Sequence, residues 1–430
     1  MREETIGQEG EPVPVACLRR HSIRWFFVET LLVYPMLCDY YEYAGGLVTI
    51  NRALWFCSFS LLLLLYGRGM LSELSRVDCI ILLSALYIST SLFVFCSLGC
   101  EQFNSTLFLM DIFMSVLPMV AYFIIKRAAK QQYEIVLSSI INTVAITSAI
   151  GIMLYFGLRI PIVYDVLLLG ASKNASWALS SVYGPILMGY LAQLAFALTL
   201  FGVHKSRFRS VLMVLFGFTA ILSTQRSAVL GLIIALAVFL WRNTTNLKEN
   251  GIRRARRSLQ VIMGLVLMML MLLLADLYNV FGYSMINRID HLIISDMTLA
   301  SALKDRSEQQ VITNTSNPIS ILIGEGFGKY SANNNTALLV QPDASFFRAF
   351  NELGIIGCMI YFSVFLHFLW RGIRKRNAFV IYCLVHTLIA FYFNRIVWSV
   401  TGGFTVFSLL ALIELGVRRN PGIRRGIGTW

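Results

Sequence analysis

Arginines at the edges of apolar runs are the residues here best suited to chemistry. In LSTQRSAVLGL, Arg226 stands in a short polar gap between two apolar stretches. A guanidinium presents a planar fork of donors that matches phosphate oxygens, and it acts most strongly where water is partly excluded. The competing reading is a snorkelling cation at a helix end, or an ion pair with a loop acid such as Asp290 or Asp305. Near a bilayer centre an arginine costs roughly 3 kcal/mol or more. At an interface facing a cavity it costs far less and can be kept for an anion. Further along, RSEQQVITNTSNPISILIGEGFG carries Arg306 and Glu325, and DASFFRAFNELGIIGCMIYF carries Asp343 and Arg348. Arg288 and Arg306 admit the same two readings as Arg226, because KDRSEQQ also looks like a solvated helix face. GEGFG follows no strand and precedes no Gly-Lys-Ser or Gly-Lys-Thr, which excludes a P-loop. Its glycines serve a tight turn that lets backbone approach protein or ligand closely.

Metal chemistry has no visible ligands. The five histidines show no HxxxH or HxH spacing, and the eight cysteines are scattered singly, mostly inside apolar runs. Neither a disulfide framework nor a cofactor is expected.

The elements that must position these residues are membrane helices. With 57% hydrophobic and only 14% charged residues, the chain is far more apolar than a soluble domain, in which about 25% of residues are charged. Apolar runs of spanning length recur from the first quarter to the last. They predict an all-α polytopic protein with about twelve transmembrane helices: 22–40, 47–66, 77–98, 107–125, 134–157, 178–202, 210–224, 226–241, 258–280, 353–370, 378–394 and 396–416. Residues 1–21 form a tail with acids where a signal peptide would be basic, so no cleaved signal is expected. Residues 22–430 form one membrane domain. No internal repeat of the kind that builds carriers is visible.

With the N-terminus inside and the connections alternating, only ten of the 36 basic residues fall outside: Arg52, Arg159, Lys173, Arg226, Arg288, Lys304, Arg306, Lys329, Arg348 and Arg395. That asymmetry follows the positive-inside rule. It also accounts for the net charge of +13 without nucleic acid, since the one dense run, RRARR, lies between spans. Both termini are then cytoplasmic. The long hydrophilic connection, about 281–350, lies outside with Arg226 and carries short amphipathic helices at the outer membrane face. The segment 343–352 begins the next helix, bounded by Pro342.

In order, LSTQRSAVLGL, the Arg306 segment with its Pro and Gly-x-Gly-x-Gly turn, and the Glu-Leu-Gly-Ile-Ile-Gly helix start resemble the O-antigen polymerase and O-antigen ligase superfamily of bacterial envelope glycosyltransferases, over roughly residues 180–370. The resemblance implies a metal-independent enzyme of the bacterial inner membrane, acting at the periplasmic face. It would transfer a glycan from undecaprenyl pyrophosphate to a sugar hydroxyl with inversion. Its partners would be lipid-linked oligosaccharides as donor and acceptor, with membrane lipids, a chain-length regulator and a flippase around it. Arg226 matches the family's helix-end arginine, Arg306 the loop arginine, and Arg288 the habit of a further loop arginine. Asp343 stands where the ligases have a histidine, which favours the polymerase branch. Preorganised arginines would stabilise the leaving pyrophosphate, and a carboxylate would take the acceptor proton, Asp343 first and Glu325 second. Arg159, Lys173 and Arg348 would hold substrate. A ligase for another acceptor and a lipid-linked oligosaccharide flippase are the alternatives.

Overall fold

A computed structural model describes residues 57, 59–70, 74–98, 105–155, 185–204, 206–223, 226–244, 318–330, 345–375, 377–393 and 400–419. The N-terminal tail, the expected helices 22–40 and 258–280, most of 47–66, and the loop residues Arg288 and Arg306 lie outside that set. So do Arg159, Lys173 and Asp343.

Among the described residues helix is the only regular secondary structure, with nine bounded helices: α1 Arg76–Leu98, α2 Ser105–Tyr155, α3 Pro185–Leu200, α4 Arg209–Leu222, α5 Arg226–Thr244, α6 Pro318–Ile323, α7 Ser345–Arg374, α8 Ala378–Phe393 and α9 Val400–Arg419. Their ends follow local chemistry. At the head of α1, Asp78 Oδ2 accepts from the Ser75 N–H (2.7 Å) and Ser75 Oγ accepts from the Asp78 N–H (3.3 Å), a reciprocal capping box. Arg209 closes α3 by donating to the Leu200 carbonyl at 2.7 Å. Asn377 caps α8 by accepting from the Val380 N–H.

Among the described residues, four stretches are long and apolar enough to cross a membrane: Arg76–Ser97, Leu107–Lys130, Val136–Met153 and Phe346–Arg374. Large apolar side chains such as Met359 and Trp370 face outward at 69% and 67% exposure, as a surface meant for lipid requires. The interior is aromatic, with Phe365 packed edge-on to Phe391 at 5.0 Å and lying 6.5 Å from Phe407.

One expectation fails. The predicted spans 107–125 and 134–157 are not an antiparallel pair, because the chain does not reverse at the basic residues between them. KRAAKQQYE holds neither Gly nor Pro and is rich in strong helix formers, so α2 runs unbroken for 51 residues. At 1.5 Å per residue that is about 76 Å, more than twice the roughly 30 Å of a bilayer core. Lys126 is accordingly no loop cation. It bonds both Asp78 oxygens at 2.6 and 2.7 Å and lies 3.2 Å from Glu414, tying α1, α2 and α9 together. Tyr122 donates to Asp78 at 2.9 Å and also contacts Glu414.

The basic helix ends nevertheless gather at one end of the bundle. Tyr87 pairs with Leu353 and Ser84 with Ile360, so α1 and α7 are antiparallel. Arg76 at the start of α1 therefore lies at the level of Arg371 and Arg374 at the end of α7. Phe201, just after α3, packs on Phe379 and Tyr382 at the start of α8, which brings Arg207 and Arg209 to the same end. The glycine turn lies at the other end.

Candidate functional site

The glycine turn is built onto a kink. Within α7, Gly354 takes φ 65° and ψ −172°, which interrupts the helical ladder and leaves carbonyls of the preceding turn without their usual donors. GEGFG supplies replacements. The Glu325 N–H donates to the Asn351 carbonyl at 2.9 Å and the Gly326 N–H to the Glu352 carbonyl at 3.2 Å. The Tyr87 hydroxyl donates to the Leu353 carbonyl at 3.1 Å. So close an approach needs glycine on both sides. A Cβ on Gly324 would strike the Glu352 carbonyl, and one on Gly354 would strike the Gly324 nitrogen. Gly324, Gly326 and Gly328 all have positive φ, at 82°, 100° and 97°, which only glycine adopts freely. The close backbone approach expected of GEGFG is therefore made to the protein's own next helix.

Charged side chains surround this joint. Arg348 Nε lies 3.1 Å from Glu352 Oε2 and its Nη2 3.6 Å from Asp111 Oδ2. All three are buried. The Tyr330 N–H donates to Glu352 Oε1 at 2.9 Å, and Arg348 lies over the Phe327 ring at 5.4 Å. Phe327 is anchored in turn by donating its N–H to Ser91 Oγ at 3.0 Å. Glu325 accepts from the Tyr330 hydroxyl at 2.5 Å and pairs with Lys329 at 2.8 Å. Lys329, about one-third exposed, is the charged group most open to solvent in this cluster.

The structure thus brings together Glu325 and Arg348 of the expected site. Arg348 is occupied by two carboxylates and holds α2 to α7. Glu325 is occupied by Lys329 and Tyr330. Arg226 is elsewhere: it opens α5, which packs on α3, α4 and α8, with Ala228 close to Gly189 of α3. Asp343 lies two residues before the start of α7. Tyr330 is tied to Glu352, and Ser345 opens α7 two turns upstream of Glu352. Sequence reasoning passed over Glu352, although its spacing of four from Arg348 on a helix is the mark of an ion pair. Asp111 is an ionisable residue within an apolar run, which is by itself a reason to look for a partner.

Among the described residues, no group of three or more histidine, cysteine, aspartate or glutamate side chains could hold a metal ion. Compared with models of known protein families and with curated proteins, the chain finds no match.

Proposed function

We propose that the protein is a surface-polysaccharide polymerase of the O-antigen type, joining undecaprenyl-pyrophosphate-linked repeat units at the periplasmic face of the bacterial inner membrane. The observation that carries this reading is the docking of GEGFG on the Glu-Leu-Gly kink of α7. Two of the three segments on which the family resemblance rests, more than twenty residues apart in sequence, form one joint. A rigid joint at that place would hold the loop bearing Arg306 and Asp343 over the membrane domain. The gathering of basic helix ends opposite the joint supports a periplasmic position for the joint.

In this reading Arg226 and Arg306 neutralise charge on the departing diphosphate, with Arg288, Arg159 and Lys173 along the glycan or the second lipid. Asp343 takes the proton from the attacking hydroxyl, with Glu325 as the second candidate. Arg348 acts as a positioning residue, because its guanidinium is committed to Glu352 and Asp111. The test is to incubate the purified protein with a lipid-linked repeat unit and resolve the products. A ladder that forms equally well with chelator present is expected. Transfer of single units to a different acceptor would point to a ligase. Absence of any transfer, or strict dependence on a divalent ion, would refute the proposal.

A further inference from the structure

Gln193 of α3 and His386 of α8 meet inside the bundle over Gly231 of α5. A Cβ built on Gly231 would lie 2.7 Å from Gln193 Nε2 and 2.7 Å from His386 Cε1, so the amide and the imidazole converge on one spot. Both side chains are wholly buried, at 0% and 1% exposure. Among the described residues, no group hydrogen-bonds the Gln193 amide oxygen or nitrogen, or either His386 ring nitrogen.

The imidazole is held in place by aromatic neighbours. The Tyr190 ring stacks on it at 5.3 Å and 18°, and the Tyr382 ring lies parallel to it at 6.1 Å and 9°. Both phenols commit their hydroxyls elsewhere, Tyr190 with Thr387 at 2.9 Å and Tyr382 by donating to the Gly231 carbonyl at 3.1 Å. The tyrosines therefore act as walls and leave the polar edge of His386 and the Gln193 amide to a ligand. Glycine inside a helix is unfavourable relative to alanine, and at position 231 it is what lets these two polar side chains come together against α5.

Buried polar atoms in folded proteins are almost always satisfied, by protein or by ordered water. We propose that Gln193 and His386 form an internal hydration site, holding ordered water between α3, α5 and α8. The donor set defines the ligand. A neutral imidazole offers one donor and one acceptor, and a glutamine amide offers two donors and an acceptor. Among the described residues no ion pair involves either group, so a small neutral molecule that both donates and accepts fits the spot. Buried water typically makes about three hydrogen bonds to such groups. Gly231 lies five residues, about 7.5 Å, along α5 from Arg226. The site would carry polarity inward from that helix end and join α5 to its neighbours through water.

Radiolytic hydroxyl labelling tests this, because brief X-ray pulses make radicals from water in place and oxidise buried side chains only where water is bound beside them. The experiment uses the full chain in lipid nanodiscs, read by mass spectrometry. His386 and Tyr190 are expected to oxidise several-fold faster than the equally buried Phe365. That excess should vanish from Tyr190 in both Gln193→Leu and His386→Phe, the latter keeping a ring between the tyrosines. Labelling of His386 and Tyr190 no faster than Phe365 in the unmodified protein would overturn the proposal, as would an excess that persists in both variants. The wild-type comparison stands even if a variant fails to fold. No substrate is involved, so the outcome is independent of glycosyl transfer.

Discussion

At the scale of single residues, the arginines divide by what already occupies them. Arg348 faces Glu352 and Asp111 in a buried setting, and removing one partner of a buried pair typically costs about 3–5 kcal/mol because the remaining charge loses its compensation. Arg348→Met should therefore lower the thermal unfolding midpoint in detergent sharply. Adding Glu352→Gln should recover part of the loss, and an unchanged midpoint in the single variant would show that the pair contributes nothing. Arg226 makes a different prediction. If its fork is reserved for a diphosphate, Arg226→Lys and Arg226→Ala should both abolish polymer while the protein still inserts, since an ammonium cannot reproduce bidentate binding. Wild-type chain lengths from both would remove it from the site. Between the two candidate bases, Asp343→Asn should slow turnover more than it weakens donor binding. Glu325 already pairs with Lys329 and Tyr330, so Glu325→Gln should have the smaller effect on turnover, and the opposite order would reverse the assignment.

Elements were legible where breakers and periodicity agreed. The expected helices 77–98, 210–224 and 378–394 match α1, α4 and α8 to within two residues, and the helix start expected at 343–352 is where α7 begins. The failure came at residues 126–134, where charge was read as a loop. Charge interrupts hydropathy without interrupting a helix, and only Gly, Pro or a competing side-chain cap would have forced the turn. Spin labels at Leu109 and Ile146, both exposed, measure the difference directly. A continuous α2 places them about 55 Å apart. A hairpin would bring them within roughly 20 Å, since packed helices lie 8–10 Å apart. Dipolar spectroscopy giving the short distance would restore the reversal and the alternation of connections built on it.

For the whole molecule, two charged joints hold the bundle at opposite ends, Asp78–Lys126–Glu414 at the basic end and Asp111–Arg348–Glu352 under the glycine turn. Between α3 and α4, His204 is buried and its imidazole is pushed below the ordinary value of 6.5 by loss of solvent, with Glu134 opposing the shift. Folding therefore favours its neutral form. That contribution is complete above pH 6.5 and is lost as the pH falls below it, because the unfolded chain then binds the proton more readily. The midpoint of wild-type protein should fall more than that of His204→Gln between neutral and mildly acidic pH, and parallel curves would exclude the effect. Composition alone determined that the chain is helical and suited to a membrane, because apolar runs of spanning length have no other way to satisfy their backbone. The motif GEGFG announced a tight turn, since its glycines could have no better use. Tertiary structure alone decided what that turn touches, that Asp111 faces Arg348, and that Gln193 meets His386. Each of those contacts joins separate elements, and a hydropathy pattern records which side of a helix is apolar without recording which neighbour will cover it.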